Sequence, residues 1–159
     1  MEHENQTGES DEWYTPRWIF NAFNCTFDLD PFSPSHNHWT PAKEFYTKED
    51  DGMTKDWEGK FVYVNPPFKG RNGHVPALEK FIENNNGIAC VRAYTSAAWF
   101  HEYATKADCL LFPKGKTKFI RPDGTTGNSP GSGIVLVGMG EKALNVLRNC
   151  EIGWFVDNR

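Results

Sequence analysis

The feature that most constrains the fold is an apolar run, Lys60-Phe61-Val62-Tyr63-Val64, that stops at Asn65-Pro66-Pro67. A short run of β-branched and aromatic residues predicts a buried strand. The two prolines lack the N–H that a further ladder hydrogen bond requires, so the strand must end at this turn. The chain therefore presents a polar amide and a stiff turn at the C-terminal edge of a buried strand.

Helix and strand patterns alternate on both sides of this strand. Before it, Thr15 followed by Pro16 predicts a helix start, with threonine as the N-cap and proline at the first helical position. We expect this helix to end near Asn24 and to be followed by a short strand over 25–29. A polar loop rich in Ser, Pro, His and Asn then continues to Pro41.

Further elements follow the Asn-Pro-Pro turn. The pattern predicts a helix over 75–84, a strand over 87–92, a helix over 97–105, strands over 108–112 and 134–137, a short helix from Glu141 and a last strand over 153–156. Strands that alternate with helices predict a single α/β domain with a mostly parallel sheet. Residues 1–12 contain no apolar anchor, so we expect a disordered tail before a folded domain over 13–159.

Composition excludes several classes of protein. The 12 Phe and 6 Trp indicate a folded chain, and a net charge of -4 argues against a protein that coats nucleic acid non-specifically, so any nucleic-acid site must be local. The four cysteines form no Cys-x-x-Cys pair, which argues against a zinc site. No apolar run approaches the roughly 20 residues of a membrane span, and we expect a cytoplasmic protein.

Three short motifs occur in a fixed order along the chain. Asn65-Pro66-Pro67-Phe68 resembles the Asn/Asp-Pro-Pro-Tyr/Phe signature of methyltransferases that act on exocyclic amines, especially adenine in DNA. Trp13-Tyr14-Thr15-Pro16 resembles an element that lines the methionine side of the cofactor site in many of these enzymes. Leu29-Asp30-Pro31-Phe32 resembles the start of their cofactor motif, although Ser33-Pro34-Ser35-His36 replaces the usual Gly-x-Gly.

The layout over 13–137 resembles small phage-type DNA N6-adenine methyltransferases. The segments 46–53 and 56–59, Trp99-Phe100-His101, Gly115-Lys116 and Lys118-Phe119 add to the motifs above. The resemblance implies a single-domain, Rossmann-like methyltransferase fold with S-adenosylmethionine as the cofactor and no metal. It also implies duplex DNA as the partner and the cytoplasm of a bacterial host as the location, and it leaves the oligomeric state open.

The resemblance also implies roles for individual residues. The side-chain oxygen of Asn65 and the carbonyl of Pro66 would accept the two N–H bonds of the amine, Pro67 would stiffen the turn, and Phe68 would stack on an extruded base. Asp30 would contact the cofactor's ammonium group, directly or through water. The remaining cofactor contacts would come from Tyr14, Thr15, Pro16, Pro31, Phe32 and one of the two neighbouring carboxylates Asp50 and Asp51.

Two basic clusters are candidates for contacts with DNA phosphates. The denser one contains Lys114, Lys116, Lys118 and Arg121 without an intervening acidic residue, and the other, Lys69 and Arg71, follows the Asn-Pro-Pro-Phe turn.

Other functions remain open at this level. The same two-acceptor geometry serves cytosine N4 or an amine in RNA, although cytosine enzymes more often carry serine where Asn65 stands. A catalytically silent binding module or decoy that kept the methyltransferase fold is the alternative from another class.

Overall fold

The architecture is a seven-stranded sheet with helices on both faces, seen in a computed structural model that describes residues 13–35, 39–67, 73–128 and 131–159. The strands are β1 (Phe27–Asp30), β2 (Ala42–Phe45), β3 (Val62–Val64), β4 (Gly87–Arg92), β5 (Cys109–Pro113), β6 (Ile134–Met139) and β7 (Gly153–Asp157). The α-helices are α1 (Arg17–Phe23), α2 (Val75–Asn84), α3 (Ala98–Tyr103) and α4 (Glu141–Asn149). Short 3-10 turns occupy Lys48–Asp50, Gly52–Thr54 and Ala104–Lys106.

The sheet has a parallel half and an antiparallel half. Its strand order is β2-β1-β3-β4-β6-β5-β7, and β2, β1, β3 and β4 pair in parallel. The pairings of β4 with β6, β6 with β5 and β5 with β7 are antiparallel. The single mixed α/β sheet is confirmed, but the expectation of a mostly parallel sheet holds only for the half that contains the Asn-Pro-Pro strand.

The core lies in two layers, one on each face of the sheet. Val62 and Val64 of β3 belong to the core layer that contains residues of α2 and α3, whereas Phe61 and Tyr63 belong to the layer of α1 and α4. This alternation is expected because successive side chains of a strand point to opposite faces. Both faces of β3 are buried, which explains its continuous apolar run.

The start of the first helix differs from the prediction. The helix begins at Arg17 and Pro16 occupies the N-cap position, which no side chain caps. Thr15 is not the cap, because its hydroxyl lies against Tyr63 and Asn65 instead. The predicted tail over 1–12 lies outside the described residues.

The strand order creates a crevice at one edge of the sheet. From β1 the chain passes to β2 on one side, and from β3 it passes to β4 on the other. Open α/β sheets bind ligands at the carboxyl ends of strands where the connections diverge in this way. Here those ends carry Asp30 on β1 and Asn65 directly after β3.

Candidate functional site

A cavity of about 300 Å³ opens at this crevice. Its walls come from the ends of β1, β3 and β4, from the segment before α1 and from the loop between β5 and β6. Pockets of this size hold small organic ligands in other proteins. The candidate site therefore coincides with the edge at which the sequence motifs meet.

Asn65 is held in one orientation at this cavity. Its Nδ2 donates to the carbonyl of Trp13 at 2.9 Å and to the hydroxyl of Thr15 at 3.3 Å. A backbone carbonyl can only accept, so the amide nitrogen must face Trp13. Among the described residues no group donates to Asn65 Oδ1, and this oxygen is the acceptor that the side chain can offer to a ligand.

Thr15 is itself fixed by a buried tyrosine on the same strand as the turn. The Thr15 and Tyr63 hydroxyls lie 2.6 Å apart, and both residues are almost fully buried. Burial, the largest cause, raises the pKa of Tyr63 well above its usual value, and burial raises the pKa of Cys90, which also contacts Tyr63, to about 12. The groups behind Asn65 are therefore neutral at physiological pH.

Asp30 places a buried carboxyl group at the cavity. Only 2% of the residue is exposed, its Oδ1 accepts from the Phe32 N–H at 3.1 Å, and the Thr40 side chain also hydrogen-bonds to it. Burial, which disfavours the ionised form, raises the pKa of Asp30 to about 7 despite these hydrogen bonds. A cationic ligand group would remove this penalty by pairing with the carboxylate.

The neighbouring carboxylates Asp50 and Asp51 have different environments. The Asp50 carboxylate accepts from the Thr47 N–H at 2.9 Å and the Thr47 hydroxyl at 3.1 Å, and is exposed. Asp51 is exposed as well, but it lines the cavity and has a left-handed backbone, φ 57°. The next residue must be glycine, because a Cβ on Gly52 would lie 2.0 Å from the Pro31 carbonyl oxygen. This contact holds the turn against the end of β1.

The segment before α1 is fastened to the loop between β5 and β6. Tyr14 and Ile120 exchange two backbone hydrogen bonds, of 2.8 and 2.9 Å, and Phe119 beside them lines the cavity. On the other side, the Trp39 indole N–H donates to the Thr15 carbonyl at 2.8 Å. The wall that orients Asn65 is thus built from three distant parts of the chain.

Comparison with known proteins identifies the family. The family model for DNA N-6-adenine-methyltransferase (Dam) matches residues 3–141, which is most of the chain. This chain belongs to the Dam family. A curated relative, the DNA N-6-adenine-methyltransferase of Haemophilus phage HP1 (strain HP1c1), is 32% identical over 110 residues, covering 65% of this chain and 62% of the relative. No solved structure matches the chain.

Most of the residues predicted for the Dam-family site lie together. Nine of them line the cavity, namely Tyr14, Thr15, Asp30, Pro31, Phe32, Asp51, Asn65, Pro66 and Pro67. Pro16 and Asp50 do not line it. Phe68, Lys69 and Arg71 lie outside the described residues.

The predicted phosphate contacts lie beside the cavity rather than in it. Lys114, Lys116 and Lys118 are exposed, and Lys118 directly precedes the cavity-lining Phe119. Arg121 is half-buried and donates to the Thr126 carbonyl and the Thr125 hydroxyl, so its guanidinium is partly committed to its own loop.

Sequence reasoning assigned no site role to several residues that line this cavity, among them Tyr63, Arg92 and Phe119. Tyr63 and Arg92 stand at or near the ends of apolar strands, as Asn65 does, and that position was the available signal. Phe119 was named only as part of the family layout, because its place at the cavity depends on how a long loop packs. In the portion of the chain that can be described, no cluster of His, Cys, Asp or Glu is arranged to hold a metal ion, and no helix could cross a membrane.

Proposed function

We propose that this chain transfers a methyl group from S-adenosylmethionine to the N6 amine of an adenine extruded from duplex DNA. The family membership and the printed name of the phage relative support the reaction class. The orientation of Asn65, with its amide nitrogen tied back to Trp13 and Thr15, is the observation that carries the proposal.

The chemistry requires two acceptors at one amine. The lone pair of the adenine N6 is delocalised into the ring, so the nitrogen becomes a useful nucleophile only when its hydrogens are drawn out of that plane. Asn65 Oδ1 and the carbonyl of Pro66, the next residue, supply two acceptors on a turn that the prolines stiffen. As the new N–CH₃ bond forms, the positive charge on the amine grows and both acceptors bind it more strongly. One amine proton then leaves to solvent.

The proposed cofactor fits the acidic side of the cavity. When bound, S-adenosylmethionine supplies an electrophilic methyl group on a sulfonium, and the S–CH₃ bond breaks as the N–CH₃ bond forms. Asp30 provides a buried carboxyl group for the ammonium of the methionine part. Asp51, rather than Asp50, is the proposed partner for the cofactor's adenine amino group, since Asp50 is engaged with Thr47.

DNA binding completes the proposal. The amine cannot reach the methyl donor while the base is paired, so the base must leave the duplex. The loop that carries Lys116 and Lys118 joins the rim of the cavity at Phe119, where it could contact phosphates of the bound duplex.

A methyl-transfer assay tests the function directly. The protein is incubated with tritiated S-adenosylmethionine and with duplexes that contain adenine but no cytosine, cytosine but no adenine, or both, with single-stranded RNA as a further arm. We expect label in N6-methyladenine alone. Label in N4-methylcytosine would assign the activity to cytosine, label in RNA alone would change the substrate class, and no label in any arm would favour a silent binding module.

Asn65→Ala separates catalysis from folding. We expect single-turnover methyl transfer to fall at least 100-fold, which corresponds to about 2.7 kcal/mol of lost transition-state stabilisation. Cofactor affinity, measured by calorimetry, and melting temperature should stay near those of the wild type. Near wild-type transfer by this variant would overturn the two-acceptor mechanism.

A further inference from the structure

Arg92 is a cavity residue that the proposed reaction has not yet used. It ends β4, the strand next to β3, and pairs with Ile134 of β6. Ile88 and Cys90 of the same strand lie in the core layer that contains Tyr63. Since alternate residues share a face, Arg92 lies on the face that carries Tyr63 and Asn65.

The charge of Arg92 is uncompensated within the described part of the chain. The residue is half-buried and lines the cavity, yet none of the described residues forms a hydrogen bond or ion pair with its guanidinium. Its chain neighbour Val91 and its cross-strand partner Ile134, which also line the cavity, are apolar. A partly buried guanidinium in such surroundings is unfavourable without an anion, so the site is suited to an anionic ligand group.

The strand order gives the cavity two electrostatic ends. Asp30 lies on β1, and Asp51 lies in the turn packed against the end of that strand. Lys48 of the same segment also lines the cavity, so this end carries two carboxyl groups and one ammonium. Arg92 lies on β4, on the other side of Asn65. A cofactor with ammonium and sulfonium charges is favoured at the acidic end, which leaves the end with Arg92 for the nucleotide.

We propose that Arg92 binds a DNA phosphate adjacent to the extruded adenine, an inference that rests on the proposed function. A guanidinium fork matches a phosphate in a bidentate arrangement, and this contact would hold the sugar-phosphate backbone while the base sits at Asn65. Arg92 thereby becomes a substrate-binding residue that discriminates a nucleotide within a strand from a free base.

Arg92→Gln tests this assignment, with Arg148→Gln as the matched control. Arg148 lies on α4, is exposed and pairs with Asp157, so its substitution removes the same charge away from the cavity. Duplex affinity is measured over a salt series with S-adenosylhomocysteine present. We expect Arg92→Gln to weaken duplex binding about tenfold or more and to reduce the salt slope by about 0.9, the value for one phosphate. The control should change neither appreciably.

The affinity for S-adenosylmethionine, measured without DNA, shows whether Arg92 binds a DNA phosphate or the cofactor's carboxylate. A phosphate contact predicts an affinity in Arg92→Gln within about twofold of the wild type. A loss of tenfold or more, with unchanged duplex binding, would instead assign Arg92 to the cofactor's carboxylate and overturn the proposal.

Replacing single phosphates of the duplex by neutral analogues identifies the phosphate that Arg92 contacts. Methylphosphonates are placed one at a time on either side of the adenine that the wild-type protein methylates. At one of these positions, the methylphosphonate should lower the duplex affinity of the wild type but cause no further loss of affinity in Arg92→Gln. Such non-additivity is expected of two groups in contact. Additive losses at every position would overturn the Arg92 contact alone. If the wild type methylates no duplex, the proposed function fails and this inference fails with it.

Discussion

An asparagine differs from a carboxylate in that only one of its two polar atoms accepts hydrogen bonds, so its use as an acceptor depends on its orientation. In this protein the orientation of Asn65 is set by Trp13 and Thr15, which precede it by 52 and 50 residues. The Thr15 hydroxyl is fixed in turn by Tyr63. In the proposed reaction, a residue that does not touch the amine can therefore control how well Asn65 accepts from it.

Replacing Thr15 by valine tests this control. Valine has a similar shape but no hydroxyl, so one hydrogen of Asn65 Nδ2 loses its partner and the Tyr63 hydroxyl keeps, among the described residues, only its contact with Cys90. We expect the single-turnover rate at saturating cofactor to fall about tenfold, equivalent to about 1.4 kcal/mol. Thr15→Ser keeps the hydroxyl and should restore most of the rate.

Thr117→Val is the control for this prediction. Thr117 is also buried, with 2% exposed, but lies outside the hydrogen bonds that orient Asn65. It should alter melting temperature without a comparable change in rate. If Thr15→Val and Thr117→Val lower stability equally and neither lowers the rate, Thr15 has only a structural role.

Asp30→Asn distinguishes a ligand-binding carboxylate from a structural turn residue. Burial raises the pKa of Asp30 from 3.8 to about 7, so between these values the folded protein holds a proton that the unfolded chain has lost. The contribution of Asp30 to stability is therefore present at low pH and is lost as pH rises through this window. From pH 5 to pH 8 the loss amounts to about 2–3 kcal/mol.

Asparagine is neutral throughout, and its side-chain oxygen can still accept from Phe32. We therefore expect Asp30→Asn to gain stability relative to the wild type between pH 5 and pH 8, measured by urea unfolding at both values. Calorimetry at pH 8 should show weaker binding of S-adenosylmethionine. A variant that is less stable at pH 8 and binds the cofactor normally would identify Asp30 as a turn residue only.

At the level of elements, the sequence predicts those whose burial is complete. The strands β3, β4 and β6 are continuous apolar runs because both of their faces are covered, and the predicted bounds of α2 coincide with the observed Val75–Asn84. Apolar periodicity reports burial, and burial is what these segments share. The pattern therefore predicted the centre of the sheet well.

The edge strand β2 was not predicted, because it is not buried and therefore has no apolar run. Its residues Ala42–Phe45 are exposed or half-buried, and Lys43 pairs with Asp28 across the edge. Such a segment becomes a strand because β1 offers it a backbone partner, which is a tertiary effect. The antiparallel insertion of β6 between β4 and β5 was equally hidden, since apolar runs carry no direction.

The residues of the candidate site divide in the same way, into those predicted from local sequence and those placed by tertiary structure. The motif residues could be predicted because each motif is contiguous, whereas Arg92 and Phe119 reach the cavity through strand order and loop packing. Asp50 and Asp51 could not be separated from sequence. Their difference arises from the left-handed backbone at Asp51, which turns adjacent carboxylates to different surroundings.

At the scale of the whole molecule, the net charge is negative, so any attraction to DNA must come from a local basic region. A net charge of -4 opposes approach to DNA, so in the proposed function a duplex must meet a basic region that outweighs the remaining surface. The loop after β5 carries Lys114, Lys116 and Lys118, all exposed, and continues into Phe119 at the cavity. The densest basic segment of the described surface thus adjoins the cavity.

Replacing Lys116 and Lys118 together by alanine tests whether this loop meets DNA. Each lost phosphate contact should reduce the slope of log affinity against log salt by about 0.9, so the double variant should lose roughly 2 from that slope. Because phosphates carry no sequence information, affinity should fall by a similar factor for every duplex. Filter binding across a salt series on several unrelated duplexes measures both effects.

Lys106→Ala with Lys142→Ala removes the same charge elsewhere on the surface and should leave the slope nearly unchanged. Equal slopes for the two double variants would place the loop away from the DNA.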